Sequence, residues 1–492
     1  MCGIVVTIGE HSKEKTLRAL DRLKHRGDDD ISVVSINSNF SIGFRRFAIN
    51  DASINGRQPF LYKNSIGVFN GEIYNYAKLK REYSLDTISI SDTEVILPLY
   101  EKFKDDFYPL IDGMFAGVII NKSNNEIIVI KDLVGEKPLF LVKSGDDIFF
   151  ISELKALSQK IDSVYYIKSG ISKFNTKGEL LSVNYQQYKY QGSNDSALDV
   201  HLYNILNNSV HKRIPDERFG IFLSGGLDSS IIAYLALKRT KNIMFYSLID
   251  NNSSDYEKTK ELVRYLKIDS QNIKYINIPN SNKIKEIIDK VVYHTESYNP
   301  SIISNGIGSY LLSKEAKNDG IKVILSGEGA DEVFCGYKSF FKNGNYKPEW
   351  QGLRTEFIEN LHFTELRRVD LCTMANTIEA RSPFLDKEVI KYANELNANS
   401  FFKGSNGKQI LRENFKEKLP LSIIEREKTS FDVGSGLRRV VVKFLRRNNK
   451  TEKEELKIIW NKYFNNYISL SKDEYFHSYP SFNKVIETRK SK

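Results

Sequence analysis

Cysteine is scarce in this chain: Cys2, Cys335 and Cys372 are the only three in 492 residues. An odd number so widely scattered fits neither a disulfide framework nor a zinc site, and a reducing cytoplasm is the expected compartment. No run of about 18 apolar residues is present, nor a charged segment leading into a short apolar one at the start, so neither membrane spanning nor secretion is expected. Acidic tails, low-complexity tracts and internal repeats are likewise missing. Negative charge is the minority, 62 Asp and Glu against 72 Lys and Arg, for a net charge of +10. The two signs interleave along nearly the whole sequence, which argues against a nucleic-acid partner. The densest basic stretch, Arg438 to Arg447 with Lys443, is expected to form a solvated helix face or to steer anionic substrates.

What is present is length for two cores, since a single core stops growing at roughly 250 to 300 residues. Up to about Tyr190 short apolar runs alternate with turn residues: Gly3 to Ile8, Ile31 to Ile36, Ile66 to Phe69, Met114 to Ile120, Glu126 to Ile130 and Ile148 to Ile151. These predict strands, with helices at Lys13 to Leu23 and Thr93 to Lys104, hence an α+β domain. Beyond the polar stretch Gln191-Gly192-Ser193-Asn194-Asp195-Ser196, strands alternate with longer helices, the pattern of an α/β parallel sheet. The domains are expected at residues 1–190 and 197–492.

Two turn motifs follow strands in the second half. Ser224-Gly225-Gly226-Leu227-Asp228-Ser229-Ser230 separates the strand Phe219 to Leu223 from a helix reaching about Lys238. Its small residues let backbone N–H groups approach an anion, Ser224 and Ser229 add hydroxyl donors, and the helix N-terminus adds positive potential, so the loop reads as a phosphate cradle. It is not a Walker loop, because no Gly-Lys-Ser/Thr follows. The strand Ile321 to Leu325 leads into Ser326-Gly327-Glu328-Gly329-Ala330-Asp331-Glu332, and two such turns on one sheet edge would line a shared crevice. Asp228 on the first turn, and Glu328 and Asp331 on the second, place carboxylates beside this candidate cradle. At the other end of the chain, removal of Met1 from Met1-Cys2-Gly3 would leave a thiol beside a free amine. An amine of pKa near ~8 can take the thiol proton at neutral pH.

The S-G-G-x-D-S pattern resembles the pyrophosphate loop of ATP-pyrophosphatases, which cleave ATP to AMP and pyrophosphate. Glu379-Ala380-Arg381-Ser382-Pro383-Phe384-Leu385-Asp386 resembles the E-x-R-x-P-F-L-D segment of glutamine-hydrolysing asparagine synthetases, and Lys428 to Phe431 resembles their K-x-x-F segment. In the first half Cys2-Gly3-Ile4, Lys24-His25-Arg26-Gly27, Arg46, Asn70-Gly71-Glu72-Ile73-Tyr74-Asn75 and Ser91-Asp92-Thr93-Glu94 resemble the motifs of class II glutamine amidotransferases, which are N-terminal-nucleophile hydrolases. Both halves are thus similar to one synthetase family. The resemblance implies an α+β N-terminal-nucleophile hydrolase sandwich (αββα) followed by an α/β parallel-sheet ATP-pyrophosphatase domain.

It also implies roles. Cys2 would be the nucleophile, with the Asn70 amide and the Gly71 N–H aimed at the tetrahedral oxyanion. Arg46, Asn70, Glu72 and Asp92 would bind glutamine, a forked cation facing its α-carboxylate and an anion its α-ammonium. Leu223, Ser224, Gly225, Gly226, Asp228, Ser229, Ser326, Gly327, Glu328 and Lys428 would bind ATP and pyrophosphate, with Mg2+ on Asp228 and Asp331. Lys428 would stabilise charge developing during adenylation. His25 is expected to be structural rather than a base for Cys2.

The chain departs from the family pattern at Asp28 (usually Pro), Lys131 (usually Arg) and Cys335 (usually Gly), the last expected to be a small buried residue. Asn299 and Ser304 stand where typical asparagine synthetases carry Asp and Arg, the arginine lying close to the acylated substrate in that family. The expected activity is release of ammonia from glutamine, adenylation of a carboxylate by ATP, and amide formation. L-Aspartate is the first acceptor to consider; the alternatives are another carboxylate, such as a sugar uronate or other small metabolite, or an inactive nucleotide-binding scaffold. Expected partners are these small molecules, with no nucleic acid or membrane, and a homodimer as the assembly. Residues beyond about Gly436 match no motif.

Overall fold

The computed structural model describes residues 1–184, 199–250, 253–447 and 449–464. The polar stretch 191–196, which the sequence offers as the domain boundary, lies outside them. Residues 1–184 with 460–464 form one compact unit, and the described residues between 199 and 459 form a second.

The first unit opens with β1 (Gly3–Ile8), α1 (Ser12–Arg22), β2 (Asp30–Asn37), β3 (Phe40–Arg46), β4 (Phe60–Tyr62), β5 (Ser65–Ile73), α2 (Tyr76–Tyr83) and α3 (Ile96–Phe103). It continues through β6 (Gly113–Asn121), β7 (Glu126–Lys131), β8 (Phe140–Ser144), β9 (Asp147–Ile151), β10 (Ser163–Tyr166), β11 (Gly170–Phe174) and β12 (Leu180–Asn184). Two six-stranded sheets result, ordered β10-β8-β9-β1-β3-β2 and β12-β11-β7-β6-β5-β4, with antiparallel pairing throughout. Ile4, Val6, Ile42 and Phe44 of the first sheet pack against Ile66, Val68, Val118 and Val129 of the second. Each such side chain, fully buried, stabilises the fold by roughly 1.5–3 kcal/mol. On the second sheet's other face, Phe69, Phe115 and Ile119 meet Leu79 of α2 and Ile96 and Leu99 of α3. Across the first sheet, α1 lies so close to β3 that a Cβ on Gly43 would come within 2.5 Å of Thr16 Cγ2. The layers are αββα, the architecture expected for this half.

In the second unit α4 (Asp199–Lys212), β13 (Phe219–Phe222), α5 (Leu227–Arg239), β14 (Ile243–Ile249), α6 (Ser254–Tyr265) and β15 (Ile273–Asn277) are followed by α7 (Ser281–Thr295), α8 (Pro300–Asn318), β16 (Val323–Leu325) and α9 (Ala330–Val333). A small hairpin, β17 (Phe341–Lys342) and β18 (Asn345–Tyr346), precedes α10 (Trp350–Asn360), α11 (Glu365–Met374) and β19 (Glu379–Arg381). The main sheet is parallel, ordered β15-β14-β13-β16-β19. The chain steps outward from β13 through β14 to β15 and returns on the opposite side at β16. The turns after β13 and β16 therefore flank the topological switch point, where open α/β sheets bind ligands. The segment beginning at β19 is structural: Arg381 donates to Glu379 Oε1 at 2.7 Å and to the Arg213 carbonyl at 2.9 Å, and Asp386 pairs with Arg213 at 2.6 Å. It ties the last strand to the C-terminal end of α4.

Candidate active sites

In the first unit β1 pairs with β3 so that Gly3 faces Arg45, and continuing that register brings Cys2 opposite Arg46. Side chains alternate along β5, so Asn70 lies on the same face as Ile66 and Val68, turned toward the first sheet. The two meet: the Cys2 backbone N–H donates to Asn70 Oδ1 at 2.7 Å, and Phe47 N–H donates to Cys2 Sγ at 3.4 Å. Removal of Met1 would convert that nitrogen into an α-amine already held next to the thiol. Asn70 is fully buried, and its Nδ2 has no hydrogen-bond partner among the described residues. An unmatched buried donor costs about 1–3 kcal/mol, which an oxygen presented by a ligand would recover.

The free edge of β5 supplies a second donor. Phe69 N–H and C=O point to that edge and are taken by the Gln58 side chain at 2.6 and 3.0 Å, while Ile73 N–H is taken by Asp92 Oδ2 at 2.6 Å. Gly71 lies between them, and alternation turns its N–H to the same edge. Its φ is +138°, and a Cβ would lie 1.9 Å from the Met114 carbonyl, so only glycine fits. Asn50 Nδ2 joins two of the expected glutamine-binding acids, reaching Glu72 Oε2 at 2.6 Å and Asp92 Oδ1 at 3.1 Å. The buried Arg46 guanidinium donates to the Ser53 carbonyl at 2.8 Å and to the Asp51 carbonyl. Asn50 and Gln58 were not foreseen; an amide side chain in a loop has no periodicity to give it away.

His25 is engaged elsewhere. Its Nε2 lies 2.8 Å from Glu153 Oε2, and Arg26 and Lys155 pair with the same carboxylate. Burial lowers the His25 pKa more than Glu153 raises it. Burial alone would raise Glu153, yet His25, Lys155 and Arg26 outweigh it and hold this carboxyl well below the usual range. Arg26 also donates to the Cys2 carbonyl at 2.9 Å, so the cluster fixes the backbone of Cys2.

In the second unit a cavity of about 500 Å³ opens at the switch point. Every nucleotide-binding residue expected from the sequence lines it except Gly225. Gly225, at φ +63°, presses against α6, where a Cβ would lie 2.7 Å from Thr259 N, and its carbonyl accepts from Arg426 at 3.0 Å. The hydroxyls of Ser224 and Ser229 lie 3.2 Å apart, and Gly226 N–H donates to Ser224 Oγ at 3.3 Å. Lys428 pairs with Asp331 Oδ2. Burial would favour its neutral amine, but Asp331 and Asp228 outweigh burial and keep Lys428 protonated well beyond the ordinary lysine range. Burial likewise opposes ionisation of Asp331, yet Lys408 and Lys428 pull it down to about 2. The K-x-x-F spacing has a packing cause: a Cβ on Gly308 of α8 would lie 2.1 Å from Phe431 Cε1, so the ring seats on that glycine and anchors the segment carrying Lys428.

Lys408 was not foreseen at all. It pairs with Asp228 at 2.7 Å and with Asp331 at 2.6 Å. The carboxylates of Asp228 and Asp331 are chemically suited to Mg2+, although among the described residues no group of three or more His, Cys, Asp or Glu is arranged to hold a metal. On the acceptor side neither Asn299 nor Ser304 is among the residues lining the cavity. Asn299 caps α8, its Oδ1 accepting from Ser301 N–H at 2.9 Å, and Ser304 is buried. The face of α8 lining the cavity carries Ser301, Asn305 and Ser309 instead. Beside it, Arg368 pairs with Glu328 at 2.8 Å and with Glu365. Burial raises the Glu328 carboxyl despite that arginine. Cys335 is fully buried at φ +55°, with burial pushing its thiol up to about 12. In the basic stretch Arg438 and Arg446 both pair with Glu452, at 2.6 and 2.8 Å, and Arg439 pairs with Asp250. Among the described residues no helix is long and apolar enough to cross a membrane.

Residues 1–185 match a family described as glutamine amidotransferase domain, and residues 201–355 and 346–475 match the asparagine synthase family. A probable glutamine-hydrolysing asparagine synthetase of Acanthamoeba polyphaga mimivirus is 30% identical over 472 residues, covering 88% of this chain and 85% of its own. Glutamine-hydrolysing asparagine synthetase 2 of Arabidopsis thaliana is 32% identical over 466 residues, covering 89% and 79%. A solved glutamine phosphoribosylpyrophosphate amidotransferase of B. subtilis, 17% identical, covers 88% of this chain and 100% of its own at a TM-score of 0.33; nothing rests on that looser likeness.

Proposed function

The chain belongs to the glutamine-hydrolysing asparagine synthetase family, and on that premise we propose that it makes asparagine from L-aspartate, ATP and glutamine. The first domain, residues 1–190, is the glutaminase. The free amine of Cys2 takes the thiol proton, the thiolate attacks the glutamine carboxamide, and the Asn70 Nδ2 and Gly71 N–H donors hold the resulting oxyanion. Ammonia leaves, and water hydrolyses the thioester to glutamate. Arg46 binds the substrate α-carboxylate, while Glu72 and Asp92 bind its α-ammonium.

In the second domain, residues 197–492, the loop from Leu223 to Ser229, with Ser326, Gly327 and Glu328, holds ATP at the switch point. The aspartate side-chain carboxylate attacks the α-phosphorus, pyrophosphate departs, and Lys428 offsets the charge that develops. Ammonia then displaces AMP from the acyl-adenylate. Asp228 and Asp331 would hold Mg2+, which neutralises the leaving pyrophosphate when bound. A homodimer in the cytoplasm with no nucleic-acid partner completes the reading; the ion pairs of Arg438, Arg439 and Arg446 support the last point.

The observation that carries this reading is the buried Asn70 amide, whose oxygen holds the Cys2 nitrogen while its Nδ2 lacks a partner among the described residues. The test is AMP formation with ATP, Mg2+, glutamine and a panel of carboxylates, with an ammonium salt replacing glutamine as control. Aspartate-dependent AMP and asparagine are the expected products. Indifference to aspartate, with turnover on another carboxylate, would replace the acceptor while leaving the chemistry in place.

A further inference from the structure

We propose that the Lys408 ammonium is the resident cation of the Asp228–Asp331 pair, so that these carboxylates take a divalent ion only together with nucleotide phosphate. The inference rests on the reading of Asp228 and Asp331 given above. Lys408 Nζ lies 2.8 and 2.7 Å from the two oxygens of Asp228 and 2.6 Å from Asp331 Oδ1, so three carboxylate oxygens surround one positive charge. The remaining Asp331 oxygen belongs to Lys428. Two carboxylates thus face two ammonium groups, and the cluster is neutral.

The fold is built to deliver this lysine. A Cβ on Gly336 would lie 2.2 Å from Lys408 Cε and 2.0 Å from Asp331 Oδ1, so the stem runs through a slot that only glycine leaves open. A Cβ on Gly407 would lie 2.0 Å from the Cys335 carbonyl, which puts the two backbone segments in contact. Lys408 N–H donates to the Phe334 carbonyl at 3.1 Å, and its own backbone is left-handed at φ +60°, a costly conformation for a lysine. The residue is only 4% exposed. A lysine that merely decorated a surface would need none of this.

A bare divalent ion approaching the pair meets an ammonium already seated between the carboxylates. It would add two positive charges to a neutral, poorly hydrated cluster beside Arg412, which lines the same cavity, and repulsion at such range is strong. Nucleotide phosphate reverses the sign. Its oxygens give Lys408 and Lys428 new acceptors and release carboxylate oxygens, and Mg2+ characteristically binds through one or two carboxylates plus substrate phosphates.

The test is Mn2+ binding to the full-length protein, read from loss of the free-ion electron paramagnetic resonance signal without nucleotide and, with nucleotide, from Mn2+ retained with the protein after rapid gel filtration against a protein-free nucleotide control. Wild type should bind no Mn2+ at this site without nucleotide, and should bind it when α,β-methylene-ATP is added. Lys408→Met should bind Mn2+ without nucleotide at least about tenfold more tightly than wild type, and adding Asp331→Asn should abolish that binding. Lys408→Arg, which keeps the charge, should behave as wild type. Nucleotide-independent Mn2+ binding by wild type that Asp228→Asn removes would overturn the inference alone, and needs no variant of Lys408. Absence of Mn2+ binding even with the analogue would overturn the metal reading of Asp228 and Asp331, and the inference with it.

Discussion

Around Cys2 the side chains of His25, Arg26 and Lys155 stand behind the thiol in a fixed lattice on Glu153, whereas in the cavity of the second unit Asp228, Asp331, Lys408 and Lys428 are themselves locked in ion pairs. The difference follows from what each site must stabilise. One oxyanion, formed transiently on a neutral amide, is served by aimed N–H donors, which cost no reorganisation at the moment of reaction. A triphosphate arrives with its charge, so a site for it must keep its own charges mutually satisfied beforehand and exchange partners when it binds. The first site is poised by an unmatched donor, the second by matched pairs.

The largest effect should come from removing the proposed nucleophile. Cys2→Ala is expected to lower glutamine-supported asparagine formation by about 10^4-fold or more, as loss of a nucleophile does elsewhere, while ammonium-supported synthesis stays near wild type. Loss of both together would break the comparison, because the two sites would then not be separable. Lys428→Met is the mirror experiment. It should cut aspartate-dependent AMP formation by about a thousandfold, in the range of removing a preorganised charge-stabilising donor, with glutamine hydrolysis retained.

Asn70→Asp probes the unmatched donor itself. The substitution keeps an oxygen for the Cys2 nitrogen but deletes Nδ2. Glutaminase kcat should fall about 100- to 1000-fold, or roughly 3–4 kcal/mol of barrier, with little change in KM. A loss confined to KM would show that Nδ2 binds ground-state substrate rather than the oxyanion.

The two sites were also unequally legible in the sequence. Residues announced by strand-turn-helix grammar, such as Ser224, Asp228 and Asp331, stand where the pattern put them, because a Gly-rich turn after an apolar strand has few other conformations. Lys408 was invisible: it follows an ordinary glycine, and its importance comes from Gly336, 72 positions earlier, whose missing side chain makes room for it. Strand β3 escaped notice because Gly43 and two arginines break its apolar run, although every residue in it is buried. There the glycine marks where α1 crosses the sheet rather than a turn. Asn299 and Ser304 were singled out by resemblance, whereas helix rotation decides which side chains of α8 line the cavity, and those are Ser301, Asn305 and Ser309.

The smallest expected effect separates scaffold charges from catalytic ones. Because burial depresses the His25 pKa, the folded protein holds this imidazole neutral where the unfolded chain, with a pKa near 6.5, begins to protonate. The unfolded state then binds the extra proton, so stability is full above about pH 6.5 and falls as pH drops, by up to about 1.4 kcal/mol per pH unit. Glu153, held well below its ordinary value, contributes in the same direction but only below about pH 4.5, so within this cluster the window from pH 6.5 to 5 belongs to His25. Denaturant unfolding of His25→Gln should therefore show a shallower loss of stability across that window than wild type. An amide at this position can still donate to Glu153, and glutamine hydrolysis should stay within about threefold of wild type with an unchanged pH profile, since a general base would contribute about 10^2–10^4-fold. A loss of that size, or a shifted acidic limb in the rate profile, would make His25 the base for Cys2 and move it from the scaffold into the reacting set.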